Sequence, residues 1–190
     1  PVIVVVGSIE KAEHLTTTSF KSEGDSIVIA GRTKRELGGS EYYRIFGGYN
    51  CYPPTLDFAV EKTTMKAVNR CIRGLYVKSC HDCSTGGLAA ALAEMCVAGD
   101  VGAEIELENA PSQRMALDEL LFSESNSRFI LATREKNRVL EILSKYGISA
   151  VAVGRVGGDS LQLKFGEKRV SVRLDNMKKA YLGSIQRLME

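Results

Sequence analysis

The stretch Lys78 to Ala98, KSCHDCSTGGLAAALAEMCVA, restricts the fold more than any other part of the chain. It predicts a short strand, a tight polar turn and then a helix that is apolar almost all round. Leu88, Leu92 and Met95 fall at helical spacing, Ala89, Ala90, Ala91 and Ala93 fill the gaps, and Glu94 is the only charge from Leu88 to Ala98. A helix without a polar face is expected between other layers, not on the outside. From Thr85 to Ala98 it would span roughly 21 Å, enough to cross a small domain. Ser84 is the expected N-cap. Gly86-Gly87 lets another backbone or a ligand approach the first turn, whose free N–H groups and dipole favour an anion. Two readings of this turn stay open: close helix–sheet packing, and a mouth facing a phosphorylated guest.

The flanking chain supplies single strands alternating with helices. Val2 to Val6 is a continuous β-branched run, which predicts a strand buried on both faces. Ser26 to Ala30 is a second strand. Gly38-Gly39-Ser40 opens a short helix with Ser40 as cap and Tyr42, Ile45 and Phe46 as its apolar stripe. After Pro53-Pro54, Leu56, Val60, Thr63, Ala67 and Cys71 recur at helical spacing up to Gly74. Ala103, Ile105 and Leu107 alternate with Glu104, Glu106 and Glu108, a half-buried strand whose outer carboxylates are a solvated comb or, less simply, metal ligands. Arg114 to Leu121 predicts a short helix, Phe129 to Ala132 a strand, Val139 to Tyr146 a helix closed by Gly147, and Ile148 to Val153 another strand. LQLKF and RVSVRL around Gly166-Glu167 read as an antiparallel hairpin. Asp175 caps a closing helix that breaks near Gly183. This mixture predicts an α+β fold, a three-layer α/β/α arrangement with a mixed sheet.

Composition narrows the function classes. The chain has 190 residues, 44% hydrophobic and 25% charged, which suits one globular domain of ordinary type. A net charge of +2 leaves no basic footprint for nucleic acid. No apolar run approaches the roughly 18 residues of a membrane span. Five cysteines, an odd number, with no apolar leader lead us to expect reduced thiols in the cytoplasm. Pro1 running at once into VIVVV leads us to expect a fragment of a longer chain.

Three groups of residues invite chemistry. Cys80 and Cys83 form a C-x-x-C at a strand-to-helix junction, open to a redox or a zinc reading or to small buried thiols. His81, Asp82 and Ser84 have the ingredients of a triad, but near-neighbours on a strand or turn project in different directions. Hydrogen bonding to a ligand, or locking the turn, suits them better. Ser123-Glu124-Ser125-Asn126 is a dense polar patch before a buried strand, either an ordinary corner or the wall of a cleft opposite Gly86-Gly87.

The blocks TTSFKSEGDSIVIAGRTKRELGGSEYYRIFGG, SCHDCSTGGLAAALAEMCVAGDVGAEIEL, LLFSESNSRFIL and VGRVGGDSL, in that order, resemble the final domain of the formylglycinamide ribonucleotide amidotransferase family. This is the synthetase subunit also known as phosphoribosylformylglycinamidine synthase II. It sits in a superfamily with aminoimidazole ribonucleotide synthetase, selenophosphate synthetase and thiamine-monophosphate kinase, and E-L-G-G-S-E-Y points to the amidotransferase within it.

The resemblance implies an aminoimidazole ribonucleotide synthetase C-terminal-domain-like fold and an ATP- and magnesium-dependent ligase of purine biosynthesis. The implied partners are preceding domains of the same chain, a glutaminase subunit and a small bridging subunit. It implies that catalytic and magnesium-binding groups lie in earlier domains, so residues 1–190 as the C-terminal domain would be inactive alone. Gly38, Gly39 and Ser40 fall on the family's glycine-serine turn. His81, Asp82, Ser84, Gly86 and Gly87 fall on its H-D-x-S-x-G-G turn, and Glu124 and Ser125 on its S-E-S motif. All ten are thereby candidates for binding nucleotide or substrate phosphate. Cys83 stands where the family has an aliphatic residue, Thr85 where it has an acid and Asn126 where it has a glutamine, which fits a copy of the domain with an auxiliary nucleotide site.

Overall fold

Seven strands form one mixed sheet in the order β2-β4-β1-β5-β3-β6-β7 in the computed structural model, which describes residues 2–48, 52–184 and 189. The elements run β1 (Ser26–Ala30), α1 (Glu41–Phe46), α2 (Phe58–Arg73), β2 (Ser79–Asp82), α3 (Gly87–Gly99), β3 (Ala103–Glu106) and α4 (Leu117–Phe122). There follow β4 (Phe129–Thr133), α5 (Lys136–Lys145), β5 (Ala150–Val156), β6 (Ser160–Phe165), β7 (Lys168–Arg173) and α6 (Leu174–Leu182). All pairings are antiparallel except β3 with β6. Helices cover both faces, so the three-layer expectation holds. One cluster joins Ile27, Ile29, Leu88, Leu92, Met95, Leu120, Ile130 and Met177. The other joins Val28, Ala67, Val68, Cys71, Leu131, Val139 and Leu143. Alternation along β1 explains the split: Ile27 and Ile29 face one layer and Val28 the other.

The second layer stops short. Beyond β5 no helix among the described residues covers that face, and strand register lines up Ser26, Arg155, Glu104, Gln162 and Ser171 as one polar row across five strands. This bare face holds an open basin of about 590 Å³. Glu104 and Glu106 point into it, with Lys164 Nζ 2.9 Å from Glu106, whereas Glu108 accepts the N–H of Gly166 at 2.7 Å. The comb is therefore split, and no group of three metal-ligating side chains occurs among the described residues.

Four expectations are corrected. Val2 to Val6 forms no strand and is 79–94% exposed, because a strand needs a neighbour to take its N–H and C=O groups and none lies beside it among the described residues. The α3 helix lies in an outer layer. Its Leu88, Leu92 and Met95 side faces the sheet, α4 and α6 flank it, and the small residues Ala89, Ala90 and Ala93 make its outer face tolerable in partial contact with water. The α1 stripe is not buried, with Ile45 66% and Phe46 72% exposed. Asp175 sits in the first turn of α6, whose N-cap position is held by Arg173. No helix among the described residues is long and apolar enough to cross a membrane.

Candidate functional site

Two glycine turns and one polar strap, Ser123 to Asn126, meet at the start of α3. Gly86 is the N-cap of α3 in the left-handed conformation, with φ +78°, and Ser84 is an exposed residue before it, not the cap. A glycine cap offers no side-chain acceptor, so the orphan N–H must find one elsewhere. Glu124 supplies it: its Oε1 accepts the Gly86 N–H at 2.8 Å and the Glu41 N–H at 3.2 Å. Glu41 opens α1, whose cap Ser40 accepts from the Tyr43 N–H as expected. One carboxylate thus ties the starts of two helices, taking one N–H at each.

Gly87 takes the packing reading. A Cβ there would lie 2.5 Å from the Ser123 carbonyl oxygen and 2.7 Å from that of Leu121, so only glycine allows α3 to seat against the strap. At Gly39 φ is +76° and a methyl would have no neighbour within 4 Å, so that glycine serves the turn alone.

The strap is held from beneath by Arg128, which is 1% exposed. Its Nε donates to the Ser125 carbonyl at 2.8 Å, Nη2 to that of Ser123 at 2.6 Å and Nη1 to Thr33 Oγ1 at 3.0 Å. Burial pushes the guanidinium pKa down, with Glu36 and Glu124 among the charges opposing that. Ser125 Oγ accepts the Lys34 N–H at 3.0 Å, and Ser123 Oγ that of Glu36 at 3.3 Å. Glu36 is itself buried and accepts from Thr55 through N–H and hydroxyl, at 3.1 and 2.8 Å. Burial raises its carboxyl pKa, but hydrogen bonds from Ser125 and Thr55 outweigh that and leave it lowered.

His81 and Asp82 lie on β2 beside this group. His81 Nε2 is 2.8 Å from Glu94 Oε2, which pins β2 to α3, while Asp82 is mostly exposed. Neither meets Ser84, so no triad forms.

Cys80 and Cys83 fall on opposite faces of the sheet. Cys80 packs against the second core cluster and Cys83 belongs to the first. Residues three apart on an extended chain point away from each other, so they cannot share a disulfide or a zinc ion. Burial pushes Cys80 up to about 12 and Cys83 up to about 11, which keeps both as thiols.

The structure therefore brings Gly38, Gly39, Ser40, Gly86, Gly87, Glu124 and Ser125 together, with His81, Asp82 and Ser84 at the margin. Arg128, Glu36 and Glu94 were not singled out from the sequence. Their only signal there is a charge set in a polar or apolar run just before or within a buried element.

Comparison with known proteins finds relatives both by sequence and by fold. A phosphoribosylformylglycinamidine synthase subunit PurL from Thermococcus sibiricus is 39% identical over 173 residues, 90% of this chain and 24% of the relative. The PurL subunit of Moorella thermoacetica is 39% identical over 193 residues, 100% of this chain and 26% of the relative. The chain thus spans about a quarter of the length of these curated relatives. A solved structure described as T. maritima PurL complexed with FGAR shares the fold, with a TM-score of 0.76 at 22% identity over 87% of this chain and 30% of that one. The model of the AIR synthase related protein, C-terminal domain, matches residues 22–165, and the chain belongs to that family.

Proposed function

We propose that this chain is the C-terminal domain of an ATP-dependent carbon–nitrogen ligase that converts formylglycinamide ribonucleotide to the amidine in purine biosynthesis. The observation that carries the reading is 37–39% identity along nearly the whole chain to several PurL subunits. T. maritima PurL is described in complexes with FGAR and with ATP, and in an assembly called PurLQS. In this reading ATP phosphorylates the amide oxygen and ammonia displaces phosphate, with magnesium offsetting the charge that builds up. Ammonia reaches it from glutamine through a glutaminase subunit and a small bridging subunit. The enzyme works in the cytoplasm, where the free cysteines stay reduced.

The domain's part is to wall one side of a nucleotide- or substrate-phosphate cleft that other domains complete. Gly38, Gly39, Ser40, Gly86, Gly87, Glu124 and Ser125 form the body of that wall, and His81, Asp82 and Ser84 its edge. Glu124 stands at one N–H of each helix start as an internal anion, so phosphate contact falls to the exposed Ser84 hydroxyl, and Asp82 can meet only a donor such as a sugar hydroxyl. The 190 residues alone do not turn over.

A chimera tests this. Replacing the aligned quarter of Moorella thermoacetica PurL with this chain is expected to retain ammonia-dependent ADP release with formylglycinamide ribonucleotide. Ser84→Ala in the chimera is expected to raise KM for ATP or for the ribonucleotide. A folded chimera without ADP release would overturn the reading.

A further inference from the structure

Arg155 reaches the bare face of the sheet only because β5 is bent. Val151 and Val153 lie on the side of the first core cluster, and simple alternation would send Arg155 after them. A β-bulge intervenes: Ile27 pairs with Gly154 but Val28 with Ala152, so β5 carries one extra residue. Bulges re-aim side chains. This one turns Val156 into the first cluster and Arg155 into the basin on the opposite face. Gly154 allows it, since a Cβ there would strike the Glu104 carbonyl of β3.

The bulge assembles two cations around a hydroxyl. Register sets Thr133, Ser26 and Arg155 side by side on β4, β1 and β5, and Lys136 opens α5 three residues after Thr133. Arg155 and Lys136 thus approach Ser26 from its two sides, and all three line the basin. Among the described residues neither cation has an ion-pair partner, and the half-buried Ser26 hydroxyl makes no hydrogen bond. The carboxylate of Asp25, next along the chain, is taken by Lys78 at 3.0 Å and Arg134 at 3.2 Å. Glu104 stands opposite Arg155 in register without forming an ion pair, and Gln162 follows it in the same row. A lone carboxylate beside an amide suits the hydroxyl groups of a ligand. No aromatic side chain lines the basin among the described residues, so it has no platform for a base. Its volume of about 590 Å³ is that of a small-molecule site. An apolar protein surface laid over it would bury Arg155, Lys136 and Glu104 without compensation.

We propose that this basin is a binding site for a phosphorylated sugar, with the phosphate between Arg155, Lys136 and Ser26 and the sugar hydroxyls over Glu104 and Gln162. The Arg155 guanidinium suits a phosphate because its planar fork can donate two parallel hydrogen bonds. The site is separate from the wall at the start of α3, because α3 covers the first-cluster face of the sheet and the basin opens on the other. It does not rest on the proposed reaction.

Titration calorimetry with ribose 5-phosphate, ribose and inorganic phosphate, on the 190-residue chain and on the Moorella chimera, tests it. Ribose 5-phosphate is expected to bind roughly tenfold more tightly than either ribose or phosphate alone. Arg155→Ala is expected to weaken that binding by roughly tenfold, and Glu104→Gln to narrow the lead over phosphate. Both side chains are exposed, so unchanged melting temperatures are expected to accompany these losses. Equal affinity for inorganic phosphate would mean an adventitious ion only and overturn the proposal. Loss of binding in Ser84→Ala, with Arg155→Ala unaffected, would move the ligand to the start of α3 and overturn it too. Tighter binding of a hexaglutamate peptide would name an acidic protein segment as the occupant instead. The Arg155-dependent binding is expected to persist in the chimera. Its loss in a folded chimera would show that a neighbouring domain fills the basin, which also overturns the proposal.

Discussion

Glu124 Oε1 sits 2.8 Å from the Gly86 amide nitrogen, so the positive end of α3 is neutralised from within the chain. The same oxygen holds the Glu41 N–H at 3.2 Å. Glu124→Ala removes both bonds and is expected to cost about 2 kcal/mol. Glu124→Gln keeps an acceptor oxygen and is expected to cost about half as much. Urea midpoints at constant slope measure the difference, and two equal losses would deny the carboxylate this role.

Gly87→Ala combines a left-handed φ of +65° with backbone oxygens at 2.5 and 2.7 Å. Strain and overpacking together are expected to cost about 3 kcal/mol, and Gly87→Val more. Gly39→Ala meets only the conformational penalty, about 1 kcal/mol. Matched denaturation curves separate the two, and similar losses would argue against close seating of α3.

Arg128→Met leaves the Ser123 and Ser125 carbonyls and the Thr33 hydroxyl without their donor in a dry site. A loss of about 3 kcal/mol is expected. Arg128→Lys restores the charge but not the three-way reach, and is expected to recover less than half of the melting temperature lost.

The buried thiols make an alkaline prediction. Unfolded cysteine titrates near 9, whereas Cys80 is pushed up to about 12 and Cys83 up to about 11. Between those values the unfolded chain has released protons that the folded chain keeps, so stability falls as pH rises from about 9 to about 12. Cys80→Ala is expected to shallow that decline, and the Cys80 and Cys83 thiols at pH 8 are expected to react with Ellman's reagent only on unfolding. Rapid labelling of Cys80 in the folded chain would contradict its burial.

At the acid end the sign reverses. The Glu36 carboxyl is lowered from its ordinary value of 4.5, so its contribution is present above that pH and lost as pH falls through the lower folded value. Glu36→Gln is expected to flatten this part of the stability profile, as followed by thermal melts between pH 6 and about 3.

What could be read from the sequence was local. Period-two alternation gave the β6–β7 hairpin and β3, and period 3.6 with flanking glycines gave α2 and α3. Ser40 was legible because its acceptor and its donor are three residues apart. The α3 cap was not, because the acceptor is Glu124, far along the chain, and nothing near Gly86 encodes it. Ser84 looked like the cap only because it has the preferred side chain. The valine run shows the same limit: its propensity was plain, but no partner that would make it a strand occurs among the described residues. The outer position of α3 was hidden because alanine is apolar enough to read as core and small enough to sit at a surface.

The place of β1 in the sheet has a consequence for synthesis. Ile29 pairs with Ile130 on one side and with Val151 on the other, so this early strand has no hydrogen-bonded neighbour until most of the chain exists. A ribosome working from the amino end would present SIVIA long before either flank emerges, and only β6 and β7 can pair as sequence neighbours. Slow closure and a window of vulnerability to self-association follow from that order.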